Sequence, residues 1–283
     1  MAAPTPTSPI KILMLHGFTQ SGPLFRAKTR ALEKNLQKAF PAGVTLSYPT
    51  GPIRLARAEI PSFDNPSATS EAPKDNAGQL EDDLDAWGWW KRKANTDPFV
   101  CEGLELGMGR VAEVLEAEGP FDGVIGFSQG GAMAAMVAAL LEEGRGEAVR
   151  KHEKDGGIRF PEMLEKRDGD VSRTIHPPFK FAACYSGFKL LHPMYKGYYE
   201  PSIKTPVLHF LGSLDTVVDE KRSLALVDVC EGGRQKLVYH PGGHFLPSSQ
   251  RQFVGALIAF MKEALATPGD DEEEKAEDMD LPF

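Results

Sequence analysis

Cysteine is scarce in this chain: Cys101, Cys184 and Cys230 are the only thiols in 283 residues. Three widely spaced thiols build neither a disulfide framework nor a paired zinc motif. Long apolar runs are missing as well. The stretch "IKILML" (10–15) is six residues long, against the roughly 20 that span a bilayer, so membrane insertion is not expected. The opening "MAAPTPTSP" lacks the basic and apolar segments of a secretory signal, and proline after Asn65 spoils that glycosylation triplet. A cytoplasmic location, or a nuclear one, is the expectation. Absent too are a P-loop and a His-Glu-x-x-His helix.

The formal charge of −8 is mostly local. Residues 270–283 hold eight acids and Lys275, a contribution of −7 that leaves about −1 for the rest. Such a run is expected to be a disordered, solvated tail (267–283) that carries no information about substrate. No nucleic-acid partner is expected.

What is present is ordinary globular material: 41% hydrophobic, 9% aromatic and 25% charged residues. After a flexible N-terminus (1–9), residues 10–266 read as a single α/β domain. "IKILML" is a strand, ended by the loop "HGFTQSG"; Leu24, Ala27, Ala31, Leu32, Leu36 and Phe40 then recur at helical spacing, and "VTLSYP" is the next strand. This βαβ opening favours a mostly parallel sheet with helices on both faces. Residues 50–98 interrupt the rhythm with a long polar loop that contains Trp87, Trp89 and Trp90, a cluster read as an anchor more than as a lid. A helix is expected over 99–119, a strand at "FDGVIGF", and a helix over 129–142. A charged surface excursion follows at 143–178. Strands at "FKFAACYSGF", "TPVLHFLG" and "QKLVYHPGG" and helices near 221–230 and 248–265 complete the alternation.

Gly126-Phe127-Ser128-Gln129-Gly130 fits G-x-S-x-G between a strand and a helix. At such a turn a serine projects its Oγ from the top of the sheet, and small residues two before and two after let strand and helix approach. The helix N-terminus favours the charge that develops during attack. A Gly-rich turn can also hold a serine without chemistry, so the context matters. A serine needs a base, and the base needs an orienting acid; in this fold they follow in the order Ser, Asp or Glu, His, each after a strand. Asp215 follows "TPVLHFLG" and His244 follows "QKLVYHPGG". Asp219 is the rival acid, but its place before a helix suits a cap.

Of the seven histidines, His16, His209 and His240 fall in or beside strands and read as structural, while His152, His176 and His192 are expected to be exposed. His240 is the rival base, but it precedes the "PGGH" loop that contains His244. The oxyanion donors are expected to be the backbone N–H of Gln129 and that of Phe18 in "LHGFTQSG". "GMGRVA" (107–112) fits a dinucleotide fingerprint, yet it lies inside a helical pattern and is discounted.

The blocks "LHGFTQSG", "GPFDGVIGFSQGGAM", "CYSGF", "GSLDTVV" and "HPGGHFLP" resemble, in order and spacing, the FSH family of serine hydrolases, over roughly residues 10–262. The resemblance implies the α/β-hydrolase fold, a triad of Ser128, Asp215 and His244, and esterase or thioesterase activity on small acyl substrates. It implies no cofactor and no metal, and for some relatives release of an acyl or polyketide chain from an acyl-carrier domain. A non-catalytic binding protein on the same shell is the alternative. Phe188, Phe245 and Leu246 flank the catalytic loops and are candidate walls of an apolar acyl pocket, or else core.

Overall fold

A computed structural model describes residues 8–60, 84–169 and 171–266. Most of the N-terminal stretch, the central part of the 50–98 loop and the acidic tail, with the expectations placed on them, lie outside the described residues.

In chain order the elements are β1 (Ile10–Leu15), α1 (Gly22–Ala39) and β2 (Val44–Ser47), then the two-residue strands β3 (Ile53–Arg54), β4 (Trp87–Gly88), β5 (Lys91–Arg92) and β6 (Cys101–Glu102). Next come α2 (Leu104–Glu118), β7 (Gly123–Phe127), α3 (Gln129–Leu140), α4 (Arg145–Glu153) and the hairpin β8 (Glu165–Asp168) and β9 (Val171–Thr174). The chain continues with β10 (Phe181–Tyr185), β11 (Val207–Gly212), α5 (Glu220–Val227), β12 (Leu237–His240) and α6 (Arg251–Leu265).

The central sheet has six strands in the order β12-β11-β10-β7-β1-β2, and every pairing is parallel. The expected mostly parallel sheet is thus wholly parallel. Alternation along β1 sends Ile10, Ile12 and Met14 to a core shared with α1 and α6, and Leu13 and Leu15 to a core shared with α2 and α3. Strands sandwiched in this way need apolar side chains on both faces, which is why "IKILML" reads as a nearly continuous run. α1 begins where sequence chemistry puts it: the Ser21 hydroxyl accepts from the Leu24 N–H at 3.3 Å, and proline occupies the first turn.

Three expectations need correction. The helix expected from 99 starts at Leu104, because Cys101–Glu102 pairs antiparallel with Lys91–Arg92. The 143–178 stretch is not wholly superficial: α4 turns Arg145 and Val149 inward, and the Arg145 guanidinium binds Glu142 at 2.7 Å and backbone carbonyls. His176, expected to be exposed, is buried because its ring is built into the backbone network: Nε2 accepts from the Phe121 N–H at 2.7 Å and Nδ1 lies 2.6 Å from the Pro177 carbonyl. Among the described residues no helix is long and apolar enough to cross a membrane.

Candidate active site

The strand order locates the site before any side chain is considered. From β1 the chain moves to the edge strand β2; from β7, on the other side of β1, it moves outward to β10, β11 and β12. Neighbouring connections therefore diverge between β1 and β7, and a crevice opens at the carboxyl ends of that pair. Ser128 follows β7 there, and the loop His16–Ser21 follows β1.

Ser128 occupies φ 53°, ψ −117° and is 8% exposed. That backbone is strained for a residue with a Cβ, by about 1–3 kcal/mol, and persists only where the surroundings over-determine it. Here the Ser128 N–H donates to the Tyr185 carbonyl at 2.7 Å, and the Ser128 carbonyl accepts from Ala132 at 3.0 Å to open α3. The flanking glycines are required. A Cβ on Gly126 would lie 2.1 Å from the Gly130 carbonyl oxygen, and one on Gly130 would lie 2.1 Å from that of Leu15. The Ser128 oxygen is thus held out at the head of α3.

Ser128, Asp215 and His244 meet. His244 Nε2 lies 2.9 Å from Ser128 Oγ, and His244 Nδ1 lies 2.7 Å from Asp215 Oδ2. The carboxylate has no proton to give, so Nδ1 carries one and donates it, which leaves Nε2 as an acceptor for the hydroxyl. Burial alone would push the Asp215 carboxyl up, but the bond from His244, followed by those from Val218 and Val217, outweighs it and holds the group down at about 2. Oδ1 accepts from the Val217 and Val218 amides at 2.9 and 3.0 Å, and Oδ2 also accepts from the Ser186 hydroxyl at 2.9 Å. Ser186, at φ 47° just after β10, is a site residue that sequence reading missed; the block "CYSGF" contains it, but nothing local says where its oxygen points.

The loops that carry Asp215 and His244 are joined by main-chain bonds. Ser213 N–H donates to the His240 carbonyl and Leu214 N–H to that of Gly242, both at 2.9 Å. A side chain on Gly212 would strike the Gly243 oxygen at 2.3 Å, which explains small residues where these loops meet. Asp219 instead caps α5, accepting from the Lys221 N–H at 2.8 Å. His240 is 1% exposed, lies against the Phe245 and Phe253 rings, and among the described residues has no hydrogen-bond partner on either ring nitrogen.

Phe18 is half-buried in the turn after β1, and its ring covers Gly88. The next amide, Thr19, donates to the Trp87 carbonyl at 2.8 Å, whereas no carbonyl among the described residues accepts from Phe18. Gln129 is the first residue of α3, so its N–H has no partner within the helix. Its side chain is fully engaged elsewhere: Oε1 accepts from the Trp89 N–H at 2.7 Å and Nε2 donates to the Trp90 carbonyl at 2.9 Å. Trp89 Nε1 donates to the His16 carbonyl at 2.9 Å. His16 is locked in turn, with Nδ1 2.8 Å from the Gly17 carbonyl and Nε2 accepting from the Gly51 N–H at 2.9 Å; burial lowers its pKa to about 4 and keeps it neutral. The tryptophan segment is therefore stitched to both loops at the switch point.

Of the candidate pocket walls, Phe188 is 6% exposed and meets Trp90 edge-on, Phe245 is 40% exposed, and Leu246 leans on the core beneath α1 and α6.

A parallel sheet with a strained serine at its switch point defines the α/β-hydrolase class. Comparison with known proteins is more specific. The family described as "Serine hydrolase (FSH1)" matches residues 6–255, and the chain belongs to that family. It is 34% identical over 242 residues to "Family of serine hydrolases 3" of Saccharomyces cerevisiae, covering 85% of this chain and 79% of that protein. It is 32% identical over 254 residues to "Esterase OVCA2" of Danio rerio, covering 86% and 94%. A protein named "Dihydrofolate reductase" in Schizosaccharomyces pombe is 32% identical over 243 residues; the match takes in 85% of this chain but spans only 44% of that protein. The solved acyl-protein thioesterase 2 of Zea mays shares the fold, with a TM-score of 0.53 at 18% identity, covering 92% of this chain and 97% of that one.

Proposed function

We propose that this protein hydrolyses carboxylic esters or thioesters of acyl groups through a covalent acyl-enzyme on Ser128. His244 Nε2 takes the hydroxyl proton as Oγ attacks the acyl carbon, and Asp215 holds the ring and stabilises the imidazolium. The tetrahedral oxyanion is received by the amides of Gln129 and Phe18, each donor of this kind contributing about 3–4 kcal/mol to the transition state. His244 then returns the proton to the departing alcohol or thiol. Water, deprotonated by the same nitrogen, attacks the ester on Ser128, releases the acid and restores the hydroxyl.

The observation that carries the reading is the unbroken run Asp215–His244–Ser128, at 2.7 and 2.9 Å. The "Esterase" name of the zebrafish relative agrees in reaction class. Labelling with a fluorophosphonate, followed by intact mass, is the test. The native protein should gain one phosphonyl group and lose turnover of a 4-nitrophenyl ester, and Ser128→Ala should do neither reaction. Undiminished labelling of Ser128→Ala would defeat the assignment.

A further inference from the structure

Arg222 is a cation where the fold disfavours one. It is the third residue of α5, in the turn where the positive end of the helix dipole repels a guanidinium. Burial, then the nearby charge of Arg92, lowers its pKa to about 10, so it is partly desolvated yet charged at neutral pH. Its Nη2 is shielded from solvent and has no hydrogen-bond partner among the described residues. Among the described residues neither Arg222 nor Arg92 forms an ion pair. Asp219 attracts Arg222, but its Oδ1 is engaged by the Lys221 N–H. The adjacent Cys101 thiol is pushed up by burial to about 12 and stays neutral.

Aromatic rings hold the two guanidiniums together. Arg222 lies 4.2 Å from the centroid of Phe188 and 4.9 Å from that of Phe99, and Arg92 lies 4.5 Å from Phe99. Contact with the ring faces offsets part of the burial, but it leaves two like charges side by side without an ion pair among the described residues. Their position is at the working rim of the sheet. Phe188 comes two residues after Ser186, which binds Asp215; its ring meets Trp90 at 6.4 Å, and the Trp90 carbonyl accepts from Gln129 Nε2. The Arg222 carbonyl accepts from Lys189 at 3.1 Å, tying α5 to the same loop.

We propose that Arg222 and Arg92 bind an oxyanion group carried by the substrate, either a carboxylate on the acyl chain or a phosphate on the leaving group. A stacked, planar fork of N–H donors suits both. The inference rests on the hydrolase reading of Ser128 and names the class of substrate that site takes.

Two substrate pairs separate the sources. Mono-4-nitrophenyl glutarate against 4-nitrophenyl butyrate places the charge on the acyl chain; butyryl-coenzyme A against butyryl-N-acetylcysteamine places it on the leaving group. In one pair the native protein should have the higher kcat/KM for the charged member. Arg222→Gln should lower that charged-to-neutral ratio by about tenfold or more, the scale of a lost charged hydrogen bond. Arg222→Lys, which keeps charge but not the fork, should fall between. Ratios within twofold of native in both pairs for Arg222→Gln would overturn the proposal, as would native preference for the neutral member of both. Should thermal melting find Arg222→Gln unfolded, the exposed Arg92→Gln decides by the same ratio, with about a threefold fall expected. Native protein that turns over none of the four substrates would overturn the hydrolase reading itself; turnover with unchanged ratios would overturn only the anion site.

Discussion

Gln129 and Trp89, forty residues apart in sequence, are joined by a buried hydrogen bond of 2.7 Å from the Trp89 N–H to the Gln129 Oε1. With the matching bond from Nε2 to the Trp90 carbonyl, one side chain satisfies a donor and an acceptor of a loop backbone that has no sheet partner at that point among the described residues. The residue next to Ser128 is thus also the one that binds the tryptophan segment.

Gln129→Glu should therefore be harmful although it is nearly isosteric. A carboxylate cannot donate to the Trp90 carbonyl, and each buried group left unpaired costs about 1–3 kcal/mol. Denaturant unfolding should report that loss, and kcat on a 4-nitrophenyl ester should fall at least tenfold. Native stability in Gln129→Glu would show that the loop is held some other way.

The two histidines of the "HPGGH" block should separate cleanly. His244→Ala removes the proposed base, and kcat/KM should fall by about a thousandfold or more. His240→Ala leaves a cavity beside Phe245 and Phe253 and should lower the melting temperature, yet retain fluorophosphonate labelling. Labelling lost in His240→Ala and kept in His244→Ala would reverse the roles.

Asp215 receives four donors, and they differ in importance. Asp215→Asn, which presents an amide to His244 Nδ1, should cut kcat by about a thousandfold or more through the wrong tautomer. Ser186→Ala withdraws one neutral donor from Oδ2 and should lower kcat by about tenfold while KM stays put. Equal losses in the two variants would mean that Ser186 does more than position the carboxylate. Because the Asp215 pKa is depressed to about 2, its stabilising effect is complete above the ordinary value of 3.8 and disappears as pH falls toward 2.

Acid should weaken the fold earlier through buried imidazoles. Burial lowers His209 and His16 to about 4 from 6.5. Between those values the unfolded chain binds protons that the folded chain refuses, so stability drops as pH falls from about 6.5 to about 4 and then levels. Each group contributes up to about 3 kcal/mol of that drop. His209 Nε2 has no hydrogen-bond partner to lose among the described residues, so His209→Leu should flatten the fall in urea midpoint between pH 7 and pH 4.5. An unaltered slope in that variant would assign the acid sensitivity to other groups.

The one-dimensional pattern of this chain was enough to mark out the alternation of strands and helices, the glycines around Ser128, and the places of Asp215 and His244 after the last two strands of the sheet. Those features are local: a strained turn needs small neighbours within a few residues, and a sandwiched strand needs apolar residues on both faces. Tertiary structure alone decided the rest. It brought the Ser186 hydroxyl to Asp215, turned Gln129 toward Trp89, hid His176 against Phe121, and gathered Arg92 and Arg222 around Phe99. Each of these joins residues far apart in the chain, through the direction of side chains that no periodicity encodes; only the closure of the fold brings the partners within reach.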